Sequence, residues 1–411
     1  MPHALAQAVE IATTALAVAG MGYFLAAILA ARVFLHERRI ARAEFAPGAP
    51  ADGWLEEPGS VGWKPGVSIL KSLKGLDPGM MDAFRSHCRQ NYAGEFELLF
   101  GISSLDDPAA AAVKELQTEF PERAIGLVEC PERLGTNGKV STLAQLVAYA
   151  RHDFLLINDS DITVSPRYLE RVMGCFAPAS HDAGKPPVGL VTALYRGKGH
   201  NTIPSRLEAL GIAAEFMPGV LLSKLIEGGL HYGLGSTLAV RREALEKAGG
   251  LLSIVDYLAD DYELGARVAH AGYRVEVSAE VVETAVPAYG WRGFFDHQLR
   301  WLRTVRSARP GGYAGLIFTH GFGWAIVNVL ASGLSPVSLW LLGLSFFLRL
   351  AQAMTVGAGV LADHELLPNL WLLPLRDAIA MGLWVVGFAG DTIVWRGERF
   401  ALNNGKLQKV N

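Results

Sequence analysis

From Ile11 to Ala31 the chain carries no charged residue for 21 consecutive positions. An α-helix rises about 1.5 Å per residue, so roughly 20 apolar residues cross the hydrocarbon core of a bilayer. The stretch therefore predicts a transmembrane helix, within an anchor at residues 1–35. A cleaved signal peptide would have a basic start and an apolar run of about 7–15 residues. Here Met1–Glu10 contains no Lys or Arg, and Arg32, Arg38, Arg39 and Arg42 follow the apolar run instead. That charge order predicts a retained helix whose C-terminal end enters the cytoplasm.

A second apolar zone runs from Tyr313 to Trp395, in the blocks Tyr313–Gly333, Leu334–Leu361 and Leu370–Trp395. Arg349, Arg376, Asp377 and Asp391 stand inside it. A charge at bilayer depth is costly, so these residues are expected to face protein or to mark an interfacial helix. Three spans plus the anchor would return the tail to the outside. Yet the tail carries Arg396, Arg399, Lys406 and Lys409 against Glu398 alone, which argues for the cytoplasmic side. The expectation is transmembrane segments over 311–395 with one block re-entrant or interfacial, then a basic cytoplasmic tail over 396–411.

These ends account for the composition. Apolar residues are 51% and charged residues 19%, against about 25% charged in an average soluble chain. The net charge of −3 lacks the basic surplus of a nucleic-acid binder. Cys88, Cys130 and Cys175 are far apart and form no C-x-x-C pair, which disfavours a disulfide scaffold or a zinc site.

Between the ends the pattern changes. The Gly-, Pro- and Ala-rich stretch Ala43–Pro65 reads as a linker, assigned to 36–65, and 66–310 reads as a soluble α/β domain. Strands are predicted at Val67–Leu73, Phe96–Gly101, Ile125–Val128 and Phe154–Ile157. Helices are predicted at Pro78–Asn91, Pro108–Phe120 and Val140–Ala150. Such alternation implies βαβ units and a mixed, mostly parallel sheet. Ligands in these sheets sit at the carboxyl ends of the strands, so acidic residues there matter most.

Three acidic clusters fall at such ends. Asp106-Asp107 follows the second strand; these residues can cap the next helix or contact a nucleotide. Asn158-Asp159-Ser160-Asp161 follows the FLLI strand directly. Two carboxylates one residue apart on a turn can share Mg²⁺ or Mn²⁺ while leaving positions for substrate phosphates. Asp161 or Ser165 can instead cap a helix starting at Pro166. Asp260-Asp261 precedes the helical stretch Tyr262–Ala271, and two adjacent acids exceed what a cap needs. Gly135–Lys139 (GTNGK) enters a helix, where Lys139 offers phosphate neutralisation without matching a Walker motif. Arg292, Arg300, Arg303, Arg306 and Arg309 line a predicted interfacial helix near 292–309. They serve as a positive-inside collar, as diphosphate ligands, or as both.

Taken in order, KSLKG at the first strand, D-D-P at 106–108, N-x-K at 137–139, N-D-S-D at 158–161, D-D-Y-E-L-G at 260–265 and R-W at 300–301 carry a resemblance. The chain resembles the ceramide glucosyltransferase family, membrane glycosyltransferases of the GT-A fold (glycosyltransferase family 21, related to family 2). The resemblance implies a GT-A domain between an N-terminal transmembrane helix and C-terminal ones, in a multi-pass bacterial inner-membrane protein. Carried over by position, it implies that Asp107, with Asp106, Asn137, Lys139 and Asp159, binds the nucleotide-sugar. Asp159 and Asp161 would hold the divalent metal. Asp261, beside Asp260, would be the general base, and Arg300 and Trp301 would complete the (Q/R)-x-x-R-W motif. The chain departs from that motif by placing His297 at the (Q/R) position, with Gln298 one residue late. Glu208–Leu222 lacks the His expected of ceramide-specific members and, with RTVRSARPGGYAG, is similar to the bacterial hopanoid glycosyltransferases.

The implied reaction is inverting transfer of a sugar, glucose foremost, from a UDP-sugar to a lipid hydroxyl in the bilayer. The alternative is a hopanoid acceptor with UDP-N-acetylglucosamine. A processive polysaccharide synthase shares the motif order but needs a polymer channel, for which three apolar blocks are few. An inert scaffold would not need every carboxylate kept, and a transporter would need Arg376, Asp377 and Asp391 to line a path.

Overall fold

The computed structural model describes residues 2–45, 63–177, 184–395 and 398–410. Among them, β1 (Val67–Ser72), β2 (Phe96–Ile102), β3 (Ala124–Glu129), β4 (Phe154–Ile157), β5 (Ile162–Thr163), β6 (Val188–Lys198), β7 (Leu238–Arg241) and β8 (Arg274–Ala285) form one sheet. Its order is β3-β2-β1-β4-β7-β6-β8-β5. The pairs β1–β2, β2–β3, β1–β4 and β6–β8 are parallel, whereas β7 runs antiparallel to both neighbours and β5 to β8. Strands covered on both faces read as continuous apolar runs, and Val67, Ile69, Leu70, Leu155 and Leu156 are fully buried. The mixed, mostly parallel sheet expected from the sequence is the observed one.

Helices α2 (Met80–Cys88), α3 (Ala109–Glu119) and α4 (Gly138–Leu146) cross between β1, β2, β3 and β4, and α5 (Tyr168–Gly174) leads from β5 to β6. Between β6 and β7 lies a longer run: α6 (Ile203–Gly211), a π-turn (Ile212–Phe216) and α7 (Met217–Glu227). Then come α8 (Arg242–Lys247), α9 (Asp260–His270) and the amphipathic α10 (Trp291–Ala308).

The N-terminal helix α1 (Pro2–Phe45) continues well past residue 35, so the stretch assigned to a linker begins as helix. Tertiary contacts hold this extension. Ala30, Ala31 and Phe34 pack into the core of the α/β domain, Arg38 donates to the Ser278 carbonyl, and Glu37 pairs with Lys224 at 2.7 Å. The remainder of the predicted linker, 46–62, lies outside the described residues.

The C-terminal zone comprises α11 (Pro310–Gly315), α12 (Gly321–Ala331), α13 (Pro336–Ala353) extended by a π-helix to Val360, α14 (Leu366–Asn369) and α15 (Leu373–Gly387). The third apolar block ends as helix at Gly387, because β9 (Thr392–Trp395) pairs with β10 (Glu398–Asn403) and then β11 (Lys406–Lys409) in a small antiparallel sheet. Helix α1 meets α12 at Gly20 and Gly321. A Cβ on Gly20 would stand 2.1 Å from the Gly321 Cα, so the approach requires glycine. Beside it Asn328 donates to Thr13 and Thr14, a polar clasp typical of helix pairs in lipid.

Arg349, Arg376 and Asp377 within the apolar zone face protein, whereas Asp391 is exposed. Arg349 forms a bidentate pair with Asp377 and also donates to the Ala214 carbonyl. Arg376 pairs with Glu215 at 2.7 Å, and Arg306 with Asp391. By length and apolarity, Ala4–Arg39, Ile203–Glu227, Pro336–Val360 and Leu366–Gly387 are each long enough to cross a membrane. Pro310–Thr319 and Gly321–Ala331 form a pair bent by 56°. The sequence reading missed Ile203–Glu227 as a long apolar helix. Its ends rejoin one sheet through β6 and β7. A crossing would need residues 228–237 to return through about 30 Å of hydrocarbon without helical structure, which unpaired backbone forbids. The 25-residue run therefore lies along the domain on the side of the apolar helices.

Candidate active site

Strand β1 has β2 on one side and β4 on the other, so the chain leaves the sheet in opposite directions at their carboxyl ends. That divergence opens the crevice in which α/β sheets bind ligands. Asn158–Asp161 leaves β4 into it. The turn is fixed from below by Lys71, a fully buried residue of β1 whose Nζ donates to the Asn158 Oδ1 (2.7 Å) and to the Asp159 carbonyl (2.9 Å). Burial pushes this ammonium down to about 7, against the opposing pull of Asp161 and Asp159.

The carboxylates gather around this turn. Lys139, in the first turn of α4, lies 2.8 Å from Asp159 and 3.1 Å from Asp260. Burial alone would lower the Lys139 pKa, but Asp159 and Asp260 outweigh it and hold it above the ordinary Lys value. Asp161 accepts from Thr284 of β8, and the neighbouring Ser160 donates to Asp77 of the loop after β1. Burial, then the charge of Asp159, raises the Asp161 carboxyl to about 6. Asp261 accepts from the backbone N–H groups of Gly235 and Tyr262, both at 2.8 Å. Burial, then Asp260, lifts it to about 6 while Lys139 opposes the rise. Gly235 sits where a Cβ would come 3.1 Å from the Asp261 Oδ2 and 3.5 Å from the Asp159 Oδ2, so the D-x-D turn and the Asp260-Asp261 pair share one small space.

The donor set fits a hard cation that also carries phosphate. Asp159 and Asp161 offer two carboxylates, and burial together with the charge of Asp159 raises the Asp161 carboxyl to about 6, so added positive charge at this turn is favourable. Among the described residues no three His, Cys, Asp or Glu side chains converge as a closed metal cage.

Some sequence candidates serve the scaffold. Asn137 is fully buried and caps α4 by accepting from Val140, while its Nδ2 donates to the Tyr257 carbonyl. This side chain therefore sets Lys139 and the segment before Asp260 rather than facing the crevice. Asp107 accepts from the Gly75 N–H and from Ala109, tying the loop after β1 to α3. Asp106 is exposed beside it. Neither Asp161 nor Ser165 is the cap of α5, whose N-cap is Arg167. Asp260 and Asp261 lie within the first turn of α9, after the N-cap Ala259, which makes no side-chain cap bond.

Helix α10 brings the last motif to the opposite wall. His297 Nδ1 contacts Glu208 Oε2 at 3.0 Å, and Gln298 bridges Glu208 to Arg376. Trp301 packs between His297 (5.2 Å between ring centroids) and Phe216 (5.9 Å), and Phe216 against Tyr195. Burial raises the Tyr195 hydroxyl well above its ordinary value, reinforced by Asp261, Glu208, Asp159 and Asp161. The two walls therefore act on one hydroxyl. Arg300 lies near enough to Tyr289 to lower that phenol against the larger effect of burial.

Sequence reasoning did not assign Lys71, Asp77, Thr284, Gly235 or Glu208. Two had a legible signal: Lys71 ends an otherwise apolar strand, and Glu208 interrupts an apolar helix. The other three depend on which loops the sheet order brings together.

Residues 15–408 match the model of Glycosyl transferase family 21. "Ceramide glucosyltransferase 3" of Caenorhabditis elegans is 26% identical over 349 residues, covering 82% of this chain and 73% of that one. "Ceramide glucosyltransferase 1" of the same organism is 22% identical over 352 residues, covering 83% and 72%. Among solved structures, the mannosyltransferase PcManGT of Pyrobaculum calidifontis, in complex with GDP-Man and Mn²⁺, superposes with a TM-score of 0.52 at 20% identity. The match covers 93% of this chain and 99% of that one, and it shows a shared fold.

Proposed function

Because the chain belongs to glycosyl transferase family 21 and is a hexosyltransferase, we propose that it moves a hexose, glucose foremost, from a UDP-sugar to the hydroxyl of a membrane lipid. The observation that carries this reading is the cluster of Asp159, Asp161, Asp260 and Asp261 around Lys139 at the β1/β4 crevice. The ceramide glucosyltransferases among its relatives support a lipid acceptor.

Mg²⁺ or Mn²⁺ held by Asp159 and Asp161 would supply positive charge to the departing diphosphate, a role that electrostatic stabilisation in a dry site makes large. Lys139 contributes fixed positive charge to the same leaving group, and Arg300 approaches from α10. Lys71 holds the D-x-D turn through Asn158 and the Asp159 carbonyl. Asp261 takes the proton of the attacking hydroxyl as the new C–O bond forms. Its two backbone donors keep it oriented, and a pKa near 6 leaves it ionised but basic at neutral pH. Direct displacement inverts the anomeric centre, so an α-linked donor yields a β-glycoside.

The membrane arrangement follows the same reading. The tail sheet joins the α/β domain, with Leu407 N–H donating to the Asp256 carbonyl and Leu258 N–H to the Gly405 carbonyl. Domain and tail therefore share a side, and the basic residues in the C-terminal part of α1 (Arg32, Arg38, Arg39 and Arg42) favour the cytoplasmic one, at the bacterial inner membrane. An even number of crossings must separate them. Pro336–Val360 and Leu366–Gly387 make that hairpin, and the bent pair Pro310–Ala331 enters and returns.

The test is incubation of the purified full chain with UDP-glucose, UDP-galactose and UDP-N-acetylglucosamine and a lipid extract, followed by mass spectrometry. A single-hexose glycolipid is expected. A ladder of sugar polymers, or no lipid product with any donor, overturns the reading.

A further inference from the structure

We propose that Tyr168 and Thr237 are positioning residues for the transfer: their hydroxyls, with Asn158, hold the turn at 234–237 in its place between the D-x-D turn and Asp261. The inference deepens the transferase reading above and rests on Asp261 being the base.

Beneath the D-x-D turn the core holds five polar side chains, Lys71, His87, Asn158, Tyr168 and Thr237, each 2% exposed or less. Polar groups at this depth are tolerated when they are hydrogen-bonded, and here the bonds fix one another's direction. Thr237 Oγ1 donates to the Ser236 carbonyl at 2.8 Å, so it accepts from the Tyr168 hydroxyl at 2.9 Å. With its proton committed there, the Tyr168 oxygen accepts from the Asn158 Nδ2 at 3.5 Å. The Asn158 Oδ1 is taken by Lys71 at 2.7 Å, and its Nδ2 also donates to His87 Nε2 at 2.9 Å. His87 must then donate through Nδ1 to the Ala83 carbonyl at 2.8 Å. Burial, reinforced by the Lys71 charge, holds the imidazole pKa well below its ordinary value, in keeping with that neutral form. No member of this line can turn without leaving a buried group unpaired.

The line takes over where the sheet stops. Strands β4 and β7 pair as far as Ile157 and Leu238. One residue beyond, the Tyr168 hydroxyl of α5 bridges the side chains of Asn158 and Thr237. Thr237 also closes the turn, its N–H donating to the Leu234 carbonyl at 3.0 Å, while the Leu234 N–H donates to Thr192 Oγ1 of β6 at 3.0 Å. Gly235 stands within that turn. Its N–H donates to Asp261 Oδ2 at 2.8 Å, and a Cβ there would come 3.1 Å from the same oxygen and 3.5 Å from Asp159 Oδ2. The turn is a wedge between Asp159 and Asp261, and Tyr168 sets how it stands against the D-x-D turn. A misplacement of about 1 Å far from the chemistry can cost about 10²-fold in rate, so a buried phenol that touches no substrate reaches the reaction.

The purified full chain is assayed with UDP-glucose and a lipid extract. Tyr168→Phe and Thr237→Val are each expected to lower kcat about tenfold with the donor KM within about threefold. The double variant should fall no more than about twofold below either, because both remove one line of bonds. Thr237→Ser, which keeps the hydroxyl, should stay within about twofold of the wild type. In an Asp261→Asn chain, adding Tyr168→Phe should change the remaining rate less than about twofold, because the phenol acts through Asp261. Unchanged kcat in both single variants overturns the proposal. So does a loss that multiplies in the double variant or in the Asp261→Asn chain, or one that Thr237→Ser shares, each of which marks packing alone. Should Tyr168→Phe fail to fold, Thr237→Val against Thr237→Ser decides by the same limits. Near-normal turnover of the Asp261→Asn chain itself overturns the assignment of the base, and this proposal with it.

Discussion

The Lys139 ammonium stands 2.8 Å from the Asp159 carboxylate, so the carboxyl end of β4 and the first turn of α4 meet as an ion pair at the mouth of the crevice. Lys139 also reaches Asp260, so a single cation neutralises acids from two separate loops. Lys139→Met keeps the stem and removes the charge. A charge-assisted hydrogen bond contributes about 1.5–3 kcal/mol, so the donor KM is expected to rise roughly 10–100-fold. Steady-state kinetics at saturating metal check this; an unchanged donor KM assigns Lys139 to the scaffold.

Asp261→Asn should lower kcat by about 10²–10⁴, the usual worth of a general base, while UDP binding measured by calorimetry stays within a few-fold. Near-normal turnover in that variant would remove Asp261 from the role of base. Burial holds the Asp261 proton up to about pH 6. In the wild type, kcat/KM should therefore rise from pH 5 and level off by about pH 7.

Stability should follow the opposite course. Asp161 and Asp261 both have folded pKa values raised to about 6, above the roughly 3.9 of an unfolded Asp. Between those values the folded chain binds more protons than the unfolded one, so raising the pH through this window lowers stability. Thermal unfolding without metal should give a higher Tm at pH 5 than at pH 7. Added Mn²⁺ should raise Tm more at pH 7, where the carboxylates are ionised. Equal Mn²⁺ shifts at both values would argue that these carboxylates do not bind it.

Arg349 and Asp377 form a bidentate pair between α13 and α15, with both side chains largely enclosed. Removing one partner strands a buried charge. Arg349→Ala should cost about 3–5 kcal/mol, seen as a Tm lowered by about 10 °C in detergent. The double variant Arg349→Met with Asp377→Leu should recover much of that loss. A single variant with unchanged Tm would show that water reaches the pair.

The tail sheet grips the segment ahead of Asp260 through backbone groups: Leu407 to Asp256, and Gly405 to Leu258. A chain ending at Trp395 should lose at least tenfold in kcat because the segment Asp256–Ala259 loses its support. Lys406→Ala should stay within twofold, since its side chain adds a contact over the Tyr257 ring and a minor charge effect on Asp256 while the backbone pairing is kept. Full activity in the truncated chain would make the sheet dispensable.

Local pattern was enough to reveal the apolar N-terminal helix, the alternation of strands and helices, and the D-x-D turn after β4. These features depend on residues near one another in the chain, whose periodicity and polarity show directly. Membership of the acidic residues in one cluster was legible only as order along the chain. Their convergence depends on the sheet order, which sets β7 and β6 between β4 and β8 and so brings Thr284 to Asp161 and Gly235 to Asp261. The same sheet order determined that Ile203–Glu227, apolar enough to cross, cannot do so, because β6 and β7 hold its ends in one layer. Asn137, which the N-x-K resemblance assigns to the nucleotide-sugar, is buried and caps α4, a contact that local pattern does not display. Arg376 was puzzling in sequence because its partners, Glu215 and Gln298, lie far away along the chain. Pairing of buried charges is a property of packing, and local pattern cannot display it.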